Sequence, residues 1–172
     1  DIVGIHNGHI SNHLAIRNSQ LASIAKSKQP EVDSYVIFQL LAKFEREGQS
    51  VVEAVSNMDA LLYGNMALAW YSLRRANVIN LFRTSNPCSM VYTDYYDTMI
   101  FASEERTVES KFLANTFENK MTLIATPSRE LFSINTDHPM YTAQGYSHQN
   151  IKENSGTIIG ASVDSYFDQG SG

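Results

Sequence analysis

The sequence predicts an α+β domain built on antiparallel strands, and three observations carry that prediction. Two neighbouring stretches before Gly48 repeat apolar residues at helical spacing. After Gly64 the texture changes to short β-branched and aromatic runs separated by turn residues. A further helical stretch and more strands then follow. Helices grouped ahead of a series of strands are the pattern of a layered α+β domain rather than of alternating βα units.

The elements follow in order. Ile2 to His6 reads as a short buried strand, with a loop from Asn7 to Asn12. Leu14, Leu21, Ala22 and Ile24-Ala25 recur at helical spacing and predict a helix over roughly 13–26. Lys26 to Pro30 is a polar break. Asp33-Ser34, both good N-cap types, opens a second helix whose stripe is Val36, Ile37, Leu40, Leu41 and Phe44, and Gly48 ends it. Ser50 with Glu53 has the spacing of a capping box and starts a third helix carrying Val51, Val52, Val55 and Met58. Met66–Leu73, Val78–Arg83, Met90–Thr93 and Met99–Ala102 predict a meander of antiparallel strands, turning at Arg74–Asn77, Ser85–Pro87 and Asp94–Asp97. A helix is expected over about 104–115. Strands near Met121–Ala125 and Leu131–Ile134 come next, joined through Pro127-Ser128. Beyond Thr136 the chain reads as polar and irregular, apart from a candidate strand at Thr157–Val163.

Composition bounds the function. A chain of 172 residues suits one domain with a sizeable core, and 43% apolar with 18% charged residues is ordinary for a folded protein. The domain is assigned to 1–165, with 166–172 a polar tail or linker. A net charge of -5 argues against a nucleic-acid groove, which needs a concentrated basic surface. Arg74-Arg75 reads as a solvated turn. No apolar run reaches the length of a membrane span, and Asp1-Ile2-Val3-Gly4 lacks the features of a signal peptide. Cys88 is the single cysteine, so no internal disulfide forms, and a reducing cytoplasm is the expected compartment. There is no Gly-rich phosphate loop and no metalloprotease helix, and no cofactor is expected.

The chemistry is concentrated in Ile5-His6-Asn7-Gly8-His9-Ile10-Ser11-Asn12-His13-Leu14-Ala15-Ile16-Arg17. This stretch resembles the strand–loop–helix motif of class II glutamine amidotransferases, in which an apolar strand ends in His-Asn-Gly or Phe-Asn-Gly, followed by Ile-x-Asn and a helix with Leu-Arg. Asn7, Gly8, Ile10, Asn12 and Arg17 occupy matching positions. Val32-Asp33-Ser34 resembles the family's Ser-Asp-Thr/Ser segment at a helix start. Gly64-Asn65-Met66-Ala67-Leu68-Ala69 resembles its Gly-x-x-Ala strand, and Phe101-Ala102-Ser103-Glu104 its Phe-Ala-Ser-Glu turn. The similarity covers roughly residues 2–110.

The resemblance implies a fold, an activity and site residues. The fold would be that of N-terminal nucleophile hydrolases, a four-layer αββα sandwich of antiparallel sheets, with the first strands missing from this chain. The activity would be hydrolysis of glutamine, supplying ammonia to a synthase domain or subunit elsewhere. In the family an N-terminal cysteine attacks the glutamine amide, with its own α-amine as base, and a thioester forms. The oxyanion needs fixed donors, each typically worth about 10²–10³ in rate. By resemblance these are the Asn7 side-chain amide and the Gly8 N–H. Asp33 would pair with the α-ammonium of glutamine, and His6 joins it among the substrate-binding residues.

This chain also departs from the family pattern. The family begins Cys-Gly-Ile and carries a Thr-Arg segment that grips the substrate carboxylate; this chain starts at Asp1 and has neither. Tyr35 stands where an acidic residue is usual. Two readings follow. In one, an N-terminal segment or separate chain supplies the nucleophile. In the other, the protein is a non-catalytic glutamine-sensing or structural module that keeps the fold.

Plainer readings stand beside these. Asn7-Gly8 alone is a tight-turn dipeptide. Asp33 alone is a helix N-cap. His6, His9 and His13 suggest zinc, yet no Cys or further carboxylate completes a ligand set, and no metal is expected. Cys88, with no neighbouring charge in sequence to lower its pKa, is read as a small core residue. Trp70, alternating with Leu68, is expected to pack. Tyr95-Tyr96 fits a turn edge or a partner surface.

Overall fold

A computed structural model describes residues 1–23, 32–93, 98–108, 121–138 and 146–151. In chain order the elements are β1 (Ile2–Ile10), α1 (His13–Gln20), α2 (Asp33–Arg46), α3 (Val51–Leu61), β2 (Gly64–Ser72), β3 (Arg75–Arg83), β4 (Ser89–Thr93), β5 (Thr98–Ala102), α4 (Glu105–Val108), β6 (Met121–Ile124), β7 (Glu130–Asn135) and β8 (Tyr146–Asn150). The strands form two antiparallel sheets, one of order β1-β2-β3-β7-β8 and one of order β5-β4-β6.

The period-2 alternation of the large sheet decides what each face meets. Met66, Leu68, Trp70, Phe82 and Leu131 point to one side and join Ile37, Leu40, Leu41, Val55 and Met58 of α2 and α3 in the main core. Ala69, Leu81, Phe132 and Ile134 point to the other and meet Met90 and Ile124 of the small sheet. Helices therefore cover one face and a second sheet covers the other. The four-residue α4 lies against β4 and β5.

The helical stripes explain α2 and α3. Val36, Ile37, Leu40, Leu41 and Phe44 are all buried, as their spacing requires. The Ser50–Glu53 capping box is complete, with the Glu53 carboxylate accepting from Ser50 N–H and the Ser50 hydroxyl from Glu53 N–H. Asp33 is the first residue of α2 rather than its N-cap, which is Val32; its carboxylate is engaged elsewhere. In α1 Ile16 is buried, and Leu21 just beyond its end joins the core, while Leu14 is 47% exposed. The expected extension of α1 to 26 lies outside the described residues.

Four further expectations change. Asn7–Ile10 is not a loop but the second half of β1, paired residue by residue with Ala67–Gly64, because Gly8 and Gly64 let the two backbones approach closely. The β2–β3 turn is short: Ser72 already pairs with Arg75, so Arg75–Asn77 belong to a strand. The strands after Gly64 are not one meander. The chain leaves the large sheet after Arg83, enters the small one at Ser89, and returns with β7 beside β3. The polar stretch after Thr136 contains β8, Tyr146–Asn150, which has no apolar periodicity and is held by its ladder to β7. The candidate strand at Thr157–Val163, the tail at 166–172, Tyr95-Tyr96 and the end of the helix expected over 104–115 lie outside the described residues.

Candidate functional site

The motif sits on an open edge. Among the described residues β1 pairs with β2 on one side only. At the two ends of that ladder Leu73 N–H donates to the Asp1 carbonyl and Ser11 N–H to the Tyr63 carbonyl. Both pairs share the register of the ladder, so the odd residues of β1 are the hydrogen-bonded ones. The N–H groups of Gly8 and Ile10 consequently point to the open edge, about 7 Å apart along the strand.

Ile10 N–H is taken by Asp33. The Asp33 Oδ2 accepts it at 2.9 Å, and Oδ1 accepts Ser34 N–H at 2.8 Å. His6 Nδ1 lies 3.0 Å from the Ser34 hydroxyl and 3.7 Å from Asp33 Oδ1, and His9 Nδ1 lies 3.9 Å from Asp33 Oδ2. Burial works against the charge on Asp33, but the Ile10 N–H, His6 and the Ser34 N–H outweigh it, and the carboxyl is held below its ordinary value. His6 adds charge only when protonated, so at neutral pH the two backbone donors dominate. With its side chain 18% exposed, Asp33 keeps an outward-facing acceptor.

His6 is buried in the fold, with only 2% of its side chain exposed. Burial pushes its pKa below the ordinary value in spite of the adjacent Asp33 carboxylate. Among the described residues its Nε2 has no partner in good hydrogen-bond geometry, the Asn65 backbone being its nearest polar neighbour. The ring lies beneath Gly8: a Cβ at Gly8 would stand 2.9 Å from that nitrogen and 2.0 Å from the Asn65 carbonyl oxygen, at a φ of +149. Only glycine fits there. His6 is therefore placed to orient Asp33 and support Gly8 from below.

Asn7 lies on the opposite face of β1, the side turned to the small sheet, and is exposed. It borders a cavity of about 190 Å³ whose lining includes Ile5, Cys88, Phe101 and Ser103. The Phe-Ala-Ser segment of the motif thus faces Asn7 across a gap between the two sheets. The Asn7 carbonyl accepts from Asn86 Nδ2 at 2.9 Å, which ties the β3–β4 connection to this end of β1.

Other motif residues build the frame. Asn12 bridges the end of β1 to the α3–β2 corner, donating to the Leu61 carbonyl and accepting from Tyr63 N–H, both at 2.8 Å. Gly64, at φ +146, would drive a Cβ to 2.0 Å from the His9 carbonyl oxygen. Ser34, which joins His6 to Asp33, and the Ile10 N–H were not singled out in the sequence. Ser34 lies in a matched segment, but only the folded helix shows which way its hydroxyl turns.

Two residues set aside in the sequence keep structural roles. Trp70 is 3% exposed in the main core. Cys88 packs against the small core, and burial raises its pKa despite the nearby Arg83, a basic neighbour that sequence adjacency did not reveal. Among the described residues no group of three His, Cys, Asp or Glu side chains is placed to hold a metal ion, and no helix is long and apolar enough to cross a membrane.

Comparison with known proteins places this geometry. No family model matches the chain. It is 34% identical over 83 residues to a glutamine–fructose-6-phosphate aminotransferase (isomerizing) from Geobacillus kaustophilus, a match covering 48% of this chain and 14% of that protein. Among solved structures it superposes on the glutamine phosphoribosylpyrophosphate amidotransferase of B. subtilis with a TM-score of 0.61 at 18% identity, over 91% of this chain and 30% of that one. A glutamine aminotransferase class-II domain protein from Silicibacter pomeroyi gives 0.52 at 13% identity, over 87% of this chain and 67% of that one. The likeness is one of fold: this chain, which spans only part of the length of those proteins, has the class II glutamine amidotransferase domain fold.

Proposed function

We propose that this domain binds glutamine at the open edge of β1 and, together with a cysteine-bearing segment, hydrolyses it to supply ammonia to a synthase site in another domain or subunit. The observation that carries the reading is the shared edge: the Gly8 N–H and the Asp33 carboxylate both face it, two strand residues apart. A glutamine laid along the edge sets its ammonium against Asp33 and its side-chain carbonyl against Gly8. The exposed Asn7 amide reaches the same carbonyl oxygen from the other face. An oxyanion formed there meets two donors that need no rearrangement. His6 holds the carboxylate without touching substrate.

The proposed architecture is the four-layer αββα sandwich of N-terminal nucleophile hydrolases, with α4 beginning the fourth layer. The cysteine-bearing strands would extend the sheets beside the Ile2–His6 half of β1, leaving the Gly8 edge to glutamine, and beside β5. The exposure of Val3 at 45% and Ile5 at 63% on this edge strand supports this, since apolar side chains on a bare edge are otherwise an aggregation hazard. A second reading is a glutamine-binding module without turnover; burial raises the pKa of Cys88, which makes it a poor substitute nucleophile within these residues.

The test is a steady-state glutaminase assay on the chain supplied with a cysteine-bearing segment. Asn7→Ala lowers kcat by about 10²–10³ and leaves KM nearly unchanged, because the oxyanion exists only after attack. Asp33→Asn raises KM by one to two powers of ten, a charge-assisted contact being worth about 1.5–3 kcal/mol. The 172 residues alone release no ammonia. Steady turnover by them, or labelling of Cys88 by a glutamine-analogue electrophile, overturns the catalytic assignment. Tight glutamine binding without turnover in the supplemented protein selects the module.

A further inference from the structure

The helix-covered face of the large sheet changes character along its length. One transverse row runs His6, Leu68, Phe82, Leu131 across β1, β2, β3 and β7, apolar beyond the histidine. The neighbouring row runs Gly4, Trp70, Asn80, Ser133 and Ser147, on to β8, and is polar from Asn80 outward. Helices do not fill the space above that row. A cavity of about 460 Å³ opens there, between the end of α2, the start of α3 and the β2–β3 hairpin. This is the size of a small-molecule site.

Its polar groups converge and are partly unspent. Asn80 is 6% exposed; its Oδ1 accepts from the Ser133 hydroxyl at 2.8 Å, while its Nδ2 donates to no described residue. That amide borders the open cavity, where water or a ligand accepts from it. The Ser72 hydroxyl donates to Glu45 Oε1 at 2.6 Å on one wall, leaving Glu45 Oε2 to accept from a hydroxyl. Arg74 and Arg75, read from sequence as a solvated turn, stand at the rim, and neither guanidinium makes an ion pair or hydrogen bond among the described residues.

We propose that this cavity is a second binding site, separate from the β1 edge, for a small hydroxylated anion. Its carboxylate or phosphate sits between Arg74 and Arg75, and its hydroxyls bond Asn80, Ser133 and Glu45. Two guanidiniums with nothing to neutralise suit an anion. Amide and hydroxyl floors that can both donate and accept suit hydroxyls rather than a hydrocarbon.

Trp70 lines the cavity and is the sole tryptophan of the chain, so its emission reports occupancy without a label. The full chain is titrated with gluconate, glucose 6-phosphate and neutral glucose. The expected result is a saturable change with at least one of the two anions and none with glucose at equal concentration. Which anion binds more tightly identifies the charged group. In the Arg74→Ala/Arg75→Ala double variant, whose exposed sites leave folding intact, affinity for that anion falls at least about tenfold, one charge-assisted contact being worth roughly that factor. The Lys/Lys double variant retains part of it. No saturable change with either anion, equal binding of glucose, or unchanged affinity in the alanine variant overturns the proposal. Glutamine titrated into the same protein leaves the anion's midpoint in place, which separates this site from the β1 edge.

Discussion

Two ends of one sheet face behave differently. At the Gly8 end, backbone and side chains are locked together: Asp33 accepts from Ile10 and Ser34, Asn12 bridges two elements, and Gly8 and Gly64 cross backbones with no room for a methyl. At the Asn80 end the polar groups line an open cavity and part of their capacity is unused. The same sheet, under the same helical layer, is closed where its polar groups bond mostly to one another, His6 Nε2 excepted, and open where they line a cavity. The lesson concerns water. A substitution at the closed end strands a buried group, whereas at the open end solvent replaces the lost partner.

The largest expected effect tests the closed end. Gly8→Ala places a Cβ against the Asn65 carbonyl at a φ that alanine resists, and costs more than about 3 kcal/mol in chemical denaturation. A loss below about 1 kcal/mol would mean that the β1–β2 approach is looser than described. Next comes Asp33→Ala, which leaves the Ile10 and Ser34 N–H groups without their acceptor. A loss of about 2–3 kcal/mol is expected, with Asp33→Asn intermediate because one oxygen remains.

A shallower effect is set by pH. The folded pKa of His6 is lowered from 6.5, so the unfolded chain binds the proton first as pH falls. Stability therefore declines as pH drops below about 6.5 and flattens under the folded pKa. Asp33 adds a later loss. Its folded pKa is below 3.8, so its contribution is complete above that value and disappears as pH falls through the lower one. Melting temperature against pH for the parent and His6→Asn separates the two, since the variant should lose only the first decline.

At the open end the effects are small. Ser133→Ala removes one hydrogen bond to Asn80 beside solvent and costs about 0.5–1 kcal/mol. Arg74→Ala/Arg75→Ala stays within about 0.5 kcal/mol. If Ser133→Ala costs as much as Asp33→Ala, the contrast between the two ends fails.

The amino-acid sequence by itself determined the local elements and the family resemblance. Helical spacing placed α2, because its five-residue apolar stripe can only be buried on one side. Ser50 and Glu53 placed the start of α3, because a capping box is closed within four residues. The Asn7-Gly8 motif and Asp33 were read together from the resemblance, and the structure brings Gly8 and Asp33 to the same edge of β1. Tertiary structure alone decided the rest. That Asn7–Ile10 continues a strand depends on Gly64, more than fifty residues away, sharing a backbone crossing with it. The division of the strands into two sheets, and β8, whose polar side chains carry no periodicity, depend on ladder partners distant in the chain. The burial of His6, the side of β1 that Asn7 takes and the cavity above Asn80 follow from strand register, which sets faces only once strands are paired. Periodicity reports which residues avoid water; it does not report which partner excludes it.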